Sequence, residues 1–383
     1  MTDKKIASLC LVMIVKNEAE GIADTLRSVK GCIDNYAILD TGSEDQTVAI
    51  IQRELQGVEG RIYSGEFVNF EVTRNEALEL GKASGCSHAL LLDADNILDG
   101  AGKLHEWINR EAVSNDIRAY EIPVVIGDTY FQQTKIVGLA GDWKFKGLVH
   151  EVLISETQSP EILQETVRIR HCPKEKSQKV TQERWKKDIE ILKKQVEGKP
   201  EDSRTVFYLA LTFYWLGDKD EAEHYFWKRI RLNGWSEEVF ESYMHLARIS
   251  VGPEYYLKYA MRIAPHRAEP LVELAEFHRT REDWTLSRIY ALAATEIGYP
   301  EKDRLFIQSS CYTWKAWDLV AIASYYLAQI LGRESKLARK IMSEGRIAAS
   351  NALKYRREDA RLIANLRHFD EMYASGWPAL EGV

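Results

Sequence analysis

The chain has 383 residues and a formal net charge of -7, because 58 aspartate and glutamate residues outnumber 51 lysine and arginine residues. Hydrophobic residues make up 45% of the chain and charged residues 28%, which is typical of a folded globular protein and excludes disorder over most of its length. The mild acidity argues against a dedicated nucleic-acid-binding protein, since such proteins carry a basic face.

The sequence has no signal of a membrane-spanning or disulfide-stabilised protein. Its longest apolar stretches, such as Leu9–Val15, are far shorter than the ~20 residues of a transmembrane helix, and no secretory signal precedes them. The five cysteines are scattered singly without CxxC spacing, which is typical of a reducing compartment and argues against a thiolate zinc site. We therefore expect a cytoplasmic protein without a transmembrane segment.

Strand-like and helix-like runs alternate through the first part of the chain. Residues 8–15 form a continuous apolar run that suits a strand buried on both faces. The pattern then predicts a helix at 19–29, a strand at 36–39, a helix at 44–55, a strand at 61–63, a helix at 72–82 and a strand at 88–92. This order predicts a largely parallel sheet with helices on both faces, and residues 118–171 indicate antiparallel strands added on one side.

A domain boundary is predicted at the polar, lysine-rich segment 173–179, which gives a first domain of residues 1–172 and a second of residues 173–383. The second domain has helical patterning almost throughout. Its small and aromatic residues recur at the spacing of tetratricopeptide (TPR) helix pairs. The predicted helix pairs and capping helices are 205–233, 239–265, 270–298, 308–331 and 336–355.

Two predicted strands end in acidic residues. Asp40 closes the second strand in LDTGSEDQT, and Asp93 and Asp95 close the fourth in LLLDADN. The carboxyl ends of parallel strands face one crevice, where clustered carboxylates repel one another unless a cation joins them. One interpretation is a divalent ion shared with a diphosphate, and the other is a pair of polar turns.

Four segments, KNEAEGIADTLRSV, AILDTGSEDQT, TRNEAL and ALLLDADN, occur in this order. Together they resemble the family-2 glycosyltransferases, and the resemblance covers about residues 6–155. It implies an α/β GT-A nucleotide-diphosphosugar transferase domain, followed here by an all-α TPR-like domain. It also implies an inverting, metal-dependent hexosyltransferase-like enzyme that takes its sugar from a nucleotide-diphosphate sugar, with a UDP-sugar expected.

The resemblance assigns roles at the matching positions. It implies that Asn17 and Glu18 border the donor base, Asp40 hydrogen-bonds that base, Arg74 lies beside the nucleotide, Asp93 lies toward the ribose, and Asp95 binds Mn²⁺ or Mg²⁺.

Simpler interpretations stay open for three of these residues. Glu18 suits the first turn of the following helix, Arg74 suits a surface pair with Glu71, and Asp40 suits a cap on the turn before Ser43.

The segment WKFKGLVHE resembles the acceptor-side loop of the family. We expect His150 to contact the metal or diphosphate, with a hydrogen-bonded histidine at a sheet edge as the alternative. His150 and Glu151 are expected on a strand, where neighbours point to opposite faces. Trp143 is either a wall for a sugar ring or a core residue. The family's acidic base pair is missing, so Glu151 is our first choice of catalytic base and Asp142 the second.

The resemblance, with the helical repeats, implies a peptide, protein or glycan acceptor. The dense aromatic residues of the helical half raise the expectation of a homodimer formed through it. A competing hypothesis is a TPR-type interaction protein with a catalytically inactive GT-A domain, since the base motif is missing. A nucleotidyltransferase is disfavoured, because KNEAEG stands where those enzymes carry a glycine-rich basic loop.

Overall fold

The structure is a computed structural model that describes residues 7–110, 116–163, 166–172 and 178–378. The chain divides into two compact units, Met1–Glu197 and Gly198–Val383. The observed division lies further along the chain than the predicted boundary, and the helix α5 (Gln178–Gly198) lies between the two positions. Most of the predicted linker, residues 173–177, lies outside the described residues.

The first unit alternates strands and helices before it becomes mostly strand. Its elements are β1 (Leu9–Val15), α1 (Ile22–Val29), β2 (Asn35–Asp40), α2 (Thr47–Glu54), β3 (Glu59–Ser64), α3 (Phe70–Ala83), β4 (His88–Leu91), β5 (Asn96–Asp99), α4 (Ala101–Arg110), β6 (Ala119–Ile126), β7 (Thr129–Gly138), β8 (Lys144–Lys146), β9 (Val152–Ile154), β10 (Glu161–Ile162), β11 (Arg168–His171) and α5. The predicted strands and helices up to residue 92 are present with ends shifted by a few residues. The sequence did not predict β5 or α4.

The strand order in the main sheet of this unit is β3-β2-β1-β4-β7-β6-β11-β5, and β10 pairs with β6. The first four strands are parallel. Beyond them β7 runs antiparallel to both β4 and β6, β11 is parallel to β6, and β5 is antiparallel to β11. Strands β8 and β9 form a separate antiparallel hairpin. The architecture is therefore mixed α/β, with antiparallel strands on one side as expected.

Strand β1 is apolar at every position, so both of its faces must be buried, and helices cover both faces of this sheet. Leu11 and Met13 pack in one cluster with residues of α1, α2 and α4, whereas Cys10 and Val12 pack in another with residues of α3. Helix α3 lies very close to β1 at Gly81, where a Cβ atom would be 2.6 Å from a Val12 methyl carbon. This close packing fixes α3, which carries Arg74.

The second unit is helical. Its elements are α6 (Ser203–Leu216), α7 (Lys219–Leu232), α8 (Ser236–Ile249), α9 (Glu254–Ile263), α10 (Glu269–Arg279), α11 (Trp284–Thr295), β12 (Ile307–Gln308), α12 (Ser309–Tyr312), α13 (Lys315–Leu331), α14 (Lys336–Tyr355) and α15 (Ala360–Ala374). The three predicted helix pairs match α6–α7, α8–α9 and α10–α11, and α15 was not predicted. Across the described residues, no helix combines the length and apolarity that a membrane span requires.

Candidate functional site

Three parallel strands end side by side at one edge of the sheet. Val15 pairs with Asp40 across β1 and β2, and Val12 pairs with Leu91 across β1 and β4. The Leu92 N–H donates to the Val12 carbonyl and continues this ladder. Ligands of open α/β sheets bind at the carboxyl ends of the strands. The loops after β1, β2 and β4 therefore define the candidate site.

Asn17 fastens the loop after β1 to the loop after β2. Its backbone N–H donates to the Ser43 hydroxyl at 3.0 Å, and its side-chain oxygen accepts from the Glu44 N–H at 2.8 Å. Its φ of 55° lies in the left-handed region, where asparagine is enriched. Asn17 thus shapes this loop pair, and its contact with a donor base stays a prediction.

Asp40 has the local partner that its simpler interpretation predicts, and the backbone of Glu18 is held just before the start of α1. The buried Asp40 carboxylate accepts from the Ser43 N–H at 3.2 Å and from its hydroxyl at 2.5 Å. The Glu18 N–H donates to the Thr47 hydroxyl at 2.7 Å, and its carbonyl accepts from the Ile22 N–H at the start of α1. Their roles beside a donor base stay predictions as well.

Arg74 joins two acidic residues that come from separate segments of the sequence. Its Nη2 lies 2.6 Å from Asp93 Oδ1, and its Nε lies 2.6 Å from Glu151 Oε1. The rings of Phe70 and Phe145 have centroids 5.8 and 5.7 Å from its guanidinium carbon. Three of the predicted site residues are therefore brought together in one ion-paired group.

A second cation, Lys135 on β7, also faces Asp93. Its Nζ lies 3.5 Å from Asp93 Oδ2 and 3.4 Å from Asn96 Oδ1, and the residue is buried. Burial alone would raise the pKa of Asp93, but the charges of Arg74 and Lys135 hold that pKa well below its ordinary value. Asp93 is therefore ionised throughout the neutral pH range.

Asp95 has different partners from Asp93. Its Oδ1 accepts from Asn96 Nδ2 at 3.1 Å and lies 3.3 Å from His171 Nδ1. The antiparallel register of β11 and β5 places His171 opposite Asn96. The same buried Asn96 accepts from Lys135, so one amide connects the surroundings of both aspartates.

Asp95 and His171 are the two described side chains at this position that could together hold a divalent metal ion. A carboxylate oxygen with an imidazole nitrogen suits Mn²⁺ better than Mg²⁺, which prefers oxygen ligands. In the part of the chain that the structure describes, no three His, Cys, Asp or Glu side chains form a group that could hold a metal. The protein would thus supply few ligands, and water or a diphosphate would complete the coordination.

Helix α3 holds the β8–β9 hairpin through three hydrogen bonds. The Asn75 side chain donates to the Phe145 carbonyl at 2.9 Å and accepts from its N–H at 2.8 Å. Glu71 accepts from the Gly147 N–H at 2.7 Å. Glu71 therefore binds the hairpin, while Arg74 pairs with the two acidic residues described above rather than with its helix neighbour.

His150 and Glu151 lie in the turn of this hairpin, so the expectation that both stand on a strand is wrong. Strand β8 ends at Lys146, β9 begins at Val152, and His150 has a φ of 52°. Because Glu151 lies in the turn, its side chain does not follow the alternating directions of strand residues. Its carboxylate forms an ion pair with Arg74. The contact of His150 with a metal or diphosphate stays a prediction.

Asp142 lies at the opposite end of the hairpin from Glu151. It precedes β8 and accepts from the Ser155 hydroxyl and, at 2.9 Å, from the Glu156 N–H. These bonds lower its pKa. Because a three-residue strand spans about 10 Å, the structure does not bring the two candidate bases together.

Trp143 is a core residue. Its side chain is buried, and its Nε1 donates to the Ile117 carbonyl at 2.6 Å. Of the two interpretations offered from sequence, a wall for a sugar ring is therefore the wrong one.

Lys135, Asn96 and His171 are the site residues that the sequence analysis missed. A signal was present for His171, which ends the run TVRIRH much as Asp93 ends HALLLD. Lys135 interrupts a strand-like run, QQTKIVG, with a charge that ends up buried.

The first unit is an α/β domain with an ion-paired group of side chains at the carboxyl ends of its parallel strands. The chain is 25% identical over 229 residues to the SPbeta prophage-derived glycosyltransferase SunS of Bacillus subtilis, which covers 57% of this chain and 52% of that protein. The chain thus spans about half the length of the curated relatives it matches. It is similar to a glycosyltransferase over more than half of its own length.

Two further proteins are similar to parts of the chain. A TPR repeat-containing protein of Synechococcus elongatus is 29% identical over 156 residues, 39% of this chain and 36% of that protein. S. aureus TarS 1–349 in complex with UDP overlaps 66% of this chain and 82% of that chain, with 14% identity and a TM-score of 0.33, which is too low to carry an argument. No protein-family model matches the chain.

Proposed function

We propose that this chain is an inverting, metal-dependent family-2 glycosyltransferase with a GT-A domain, using a nucleotide-diphosphate sugar and most readily a UDP-sugar. The observation that carries the proposal is the convergence of Arg74, Asp93 and Glu151 beside Asp95 and His171 at the carboxyl edge of β4. The similarity to glycosyltransferase SunS supports the same chemistry.

In this proposal Asp93 and Asp95 have different roles. Asp93, held ionised by Arg74 and Lys135, accepts hydrogen bonds from the nucleotide. Asp95 and His171 would hold Mn²⁺ or Mg²⁺, and the ion would supply positive charge to the diphosphate leaving group. Arg74 supplies a fixed positive charge beside the phosphates.

Glu151 is the proposed catalytic base. The acceptor's hydroxyl or thiol attacks the anomeric carbon from the side opposite the diphosphate, the carbon–phosphate-oxygen bond breaks, and the acceptor proton passes to the Glu151 carboxylate. The turn that carries Glu151 is tied to α3 at Gly147, which orients the carboxylate. Asp142 is held instead by Ser155 and Glu156, which favours Glu151.

The acceptor is proposed to be a peptide, protein or glycan recognised with the help of the helical unit. TPR-like helix pairs form surfaces that bind extended chains, and the helical unit contains three consecutive pairs, α6–α7, α8–α9 and α10–α11. A homodimer through this unit is part of the same proposal.

Calorimetry with UDP and Mn²⁺ tests the proposal on the full chain. The wild type should bind UDP with Mn²⁺ at least about tenfold more tightly than without it, and it should release UDP from a UDP-sugar. Asp95→Asn should abolish the increase in UDP affinity that Mn²⁺ produces. Asp24→Asn, which changes an aspartate that is 69% exposed, is the matched control. An absence of nucleotide affinity would instead favour an interaction protein with an inactive GT-A domain.

A further inference from the structure

Lys135 places a buried positive charge at the site. The proposed chemistry gives this charge no role beyond keeping Asp93 ionised. Its side chain is 5% exposed, and its Nζ faces Asp93 Oδ2 and Asn96 Oδ1 at 3.5 and 3.4 Å. Taking an ammonium group out of water is costly unless a partner compensates it. A lysine at this position therefore has an electrostatic effect on every charge that enters the site.

The two aspartates of the DAD segment differ in how their charge is compensated. Asp93 has a cation on each oxygen, Arg74 on Oδ1 and Lys135 on Oδ2. Arg74 makes a second direct ion pair with Glu151, whereas the direct ion pair of Lys135 is with Asp93. Asp95 is hydrogen-bonded by the neutral amide of Asn96.

This pattern has opposite consequences for a metal ion and for a diphosphate. A positive charge beside Asp93 repels a divalent cation that approaches the neighbouring Asp95, and it attracts the phosphates of a nucleotide. In the described parts of the chain the metal also lacks a group of three protein ligands. In the absence of the other ligand, the site should therefore bind a metal ion weakly and a diphosphate more readily.

We propose that Lys135 is a positioning residue that favours the nucleotide diphosphate over the bare metal ion, so that the metal binds together with the nucleotide or after it. Lys135 acts through Asp93, whose second oxygen it compensates, and it touches neither the metal nor the reacting atoms in this scheme. The inference rests on the proposed function, because it needs a site that takes both ligands.

Opposite changes in two affinities test this role in the full chain. Mn²⁺ alone is titrated with electron paramagnetic resonance of the free ion, and UDP alone is titrated by calorimetry in EDTA. Lys135→Met should bind Mn²⁺ about three- to tenfold more tightly and UDP weaker by a similar factor, the effect of one unit charge at intermediate dielectric. Lys135→Gln should behave alike and serves if the methionine variant does not fold.

Two control variants separate charge from packing. Lys135→Arg keeps the positive charge, so it should not reproduce the opposite changes in the two affinities that Lys135→Met produces. Lys103→Met removes a lysine that is 57% exposed and pairs with Glu106, so it should change neither affinity. Loss of both affinities in Lys135→Met, or no change in either, overturns the inference. If wild type itself binds neither ligand, the proposed function fails and takes this inference with it.

Discussion

The imidazole of His171 lies 3.3 Å from the carboxylate of Asp95, at the point where the last residue of β11 pairs with the first residue of β5. Strand β11 is antiparallel to β5 and parallel to β6, whereas Asp95 follows the parallel strand β4. The metal site proposed here therefore combines the end of β11 with the segment that connects β4 to β5.

His171→Ala should weaken Mn²⁺ binding in the presence of UDP by about 10–100-fold, the range seen when a metal site loses a supporting or ligating group. A Mn²⁺ titration at saturating UDP measures this. His105→Ala, at an exposed position on α4, should keep wild-type affinity. Equal Mn²⁺ affinity in His171→Ala and wild type would remove His171 from the site.

Arg74→Lys should impair the site although it keeps the charge. A lysine ammonium cannot bridge Asp93 and Glu151 as the planar guanidinium does. We expect weaker UDP binding and a turnover at least about tenfold lower, measured as UDP release from a UDP-sugar. Arg53→Lys, on the exposed face of α2, is the matched control. Turnover that matches wild type would mean that the bridge is dispensable.

The two candidate bases should respond differently to neutralisation. Glu151→Gln should lower kcat by about 10²-fold or more, within the range for loss of a general base. Asp142→Asn should change kcat by less than about threefold, because its carboxylate serves Ser155 and Glu156. Steady-state kinetics of both variants decides the assignment, and the reverse order of effects would make Asp142 the base.

Glu241 in the helical unit should make stability fall as pH rises. Burial raises its pKa to about 8, although Arg267 lies 3.6 Å away. The unfolded carboxyl has a pKa of about 4.3. Between these values the folded chain binds a proton that the unfolded chain releases, so the free energy of unfolding decreases from about pH 5 to pH 8.

Glu241→Gln removes this titration. The free energy of unfolding of the variant minus that of wild type should increase by about 1–3 kcal/mol from pH 5 to pH 8. Urea denaturation at both pH values measures this change. Glu223→Gln, at an exposed position of α7, should show no such difference. A difference between variant and wild type that stays constant across this pH range would contradict the prediction.

The fold was predictable where local pattern decides it. The unbroken apolar run of β1 requires burial on both faces, and its alternate residues do pack in two clusters. Strand β5 was missed because four residues, Asn96–Asp99, follow directly after an acidic turn and have no pattern of their own. Their strand structure depends on pairing with β11, which the sequence does not reveal.

The site was predictable only in part for the same reason. Motifs placed Asp93 and Arg74 near one nucleotide, and the structure joins them by an ion pair. Lys135 and His171 come from antiparallel strands whose order in the sheet is not readable from one sequence. Glu151 was expected on a strand, but the turn after Gly147 at a φ of 117° sets its direction.

The attachment of the β8–β9 hairpin to α3 uses main-chain atoms of the hairpin, at Phe145 and Gly147. The position of Glu151 is thus insensitive to most side chains of the hairpin itself. Lys144, Lys146 and Leu148 are exposed there, and they are free to diverge among descendants of this chain. Under the proposed function, such a scaffold would let the surface of the hairpin change by substitution while Glu151 keeps its position.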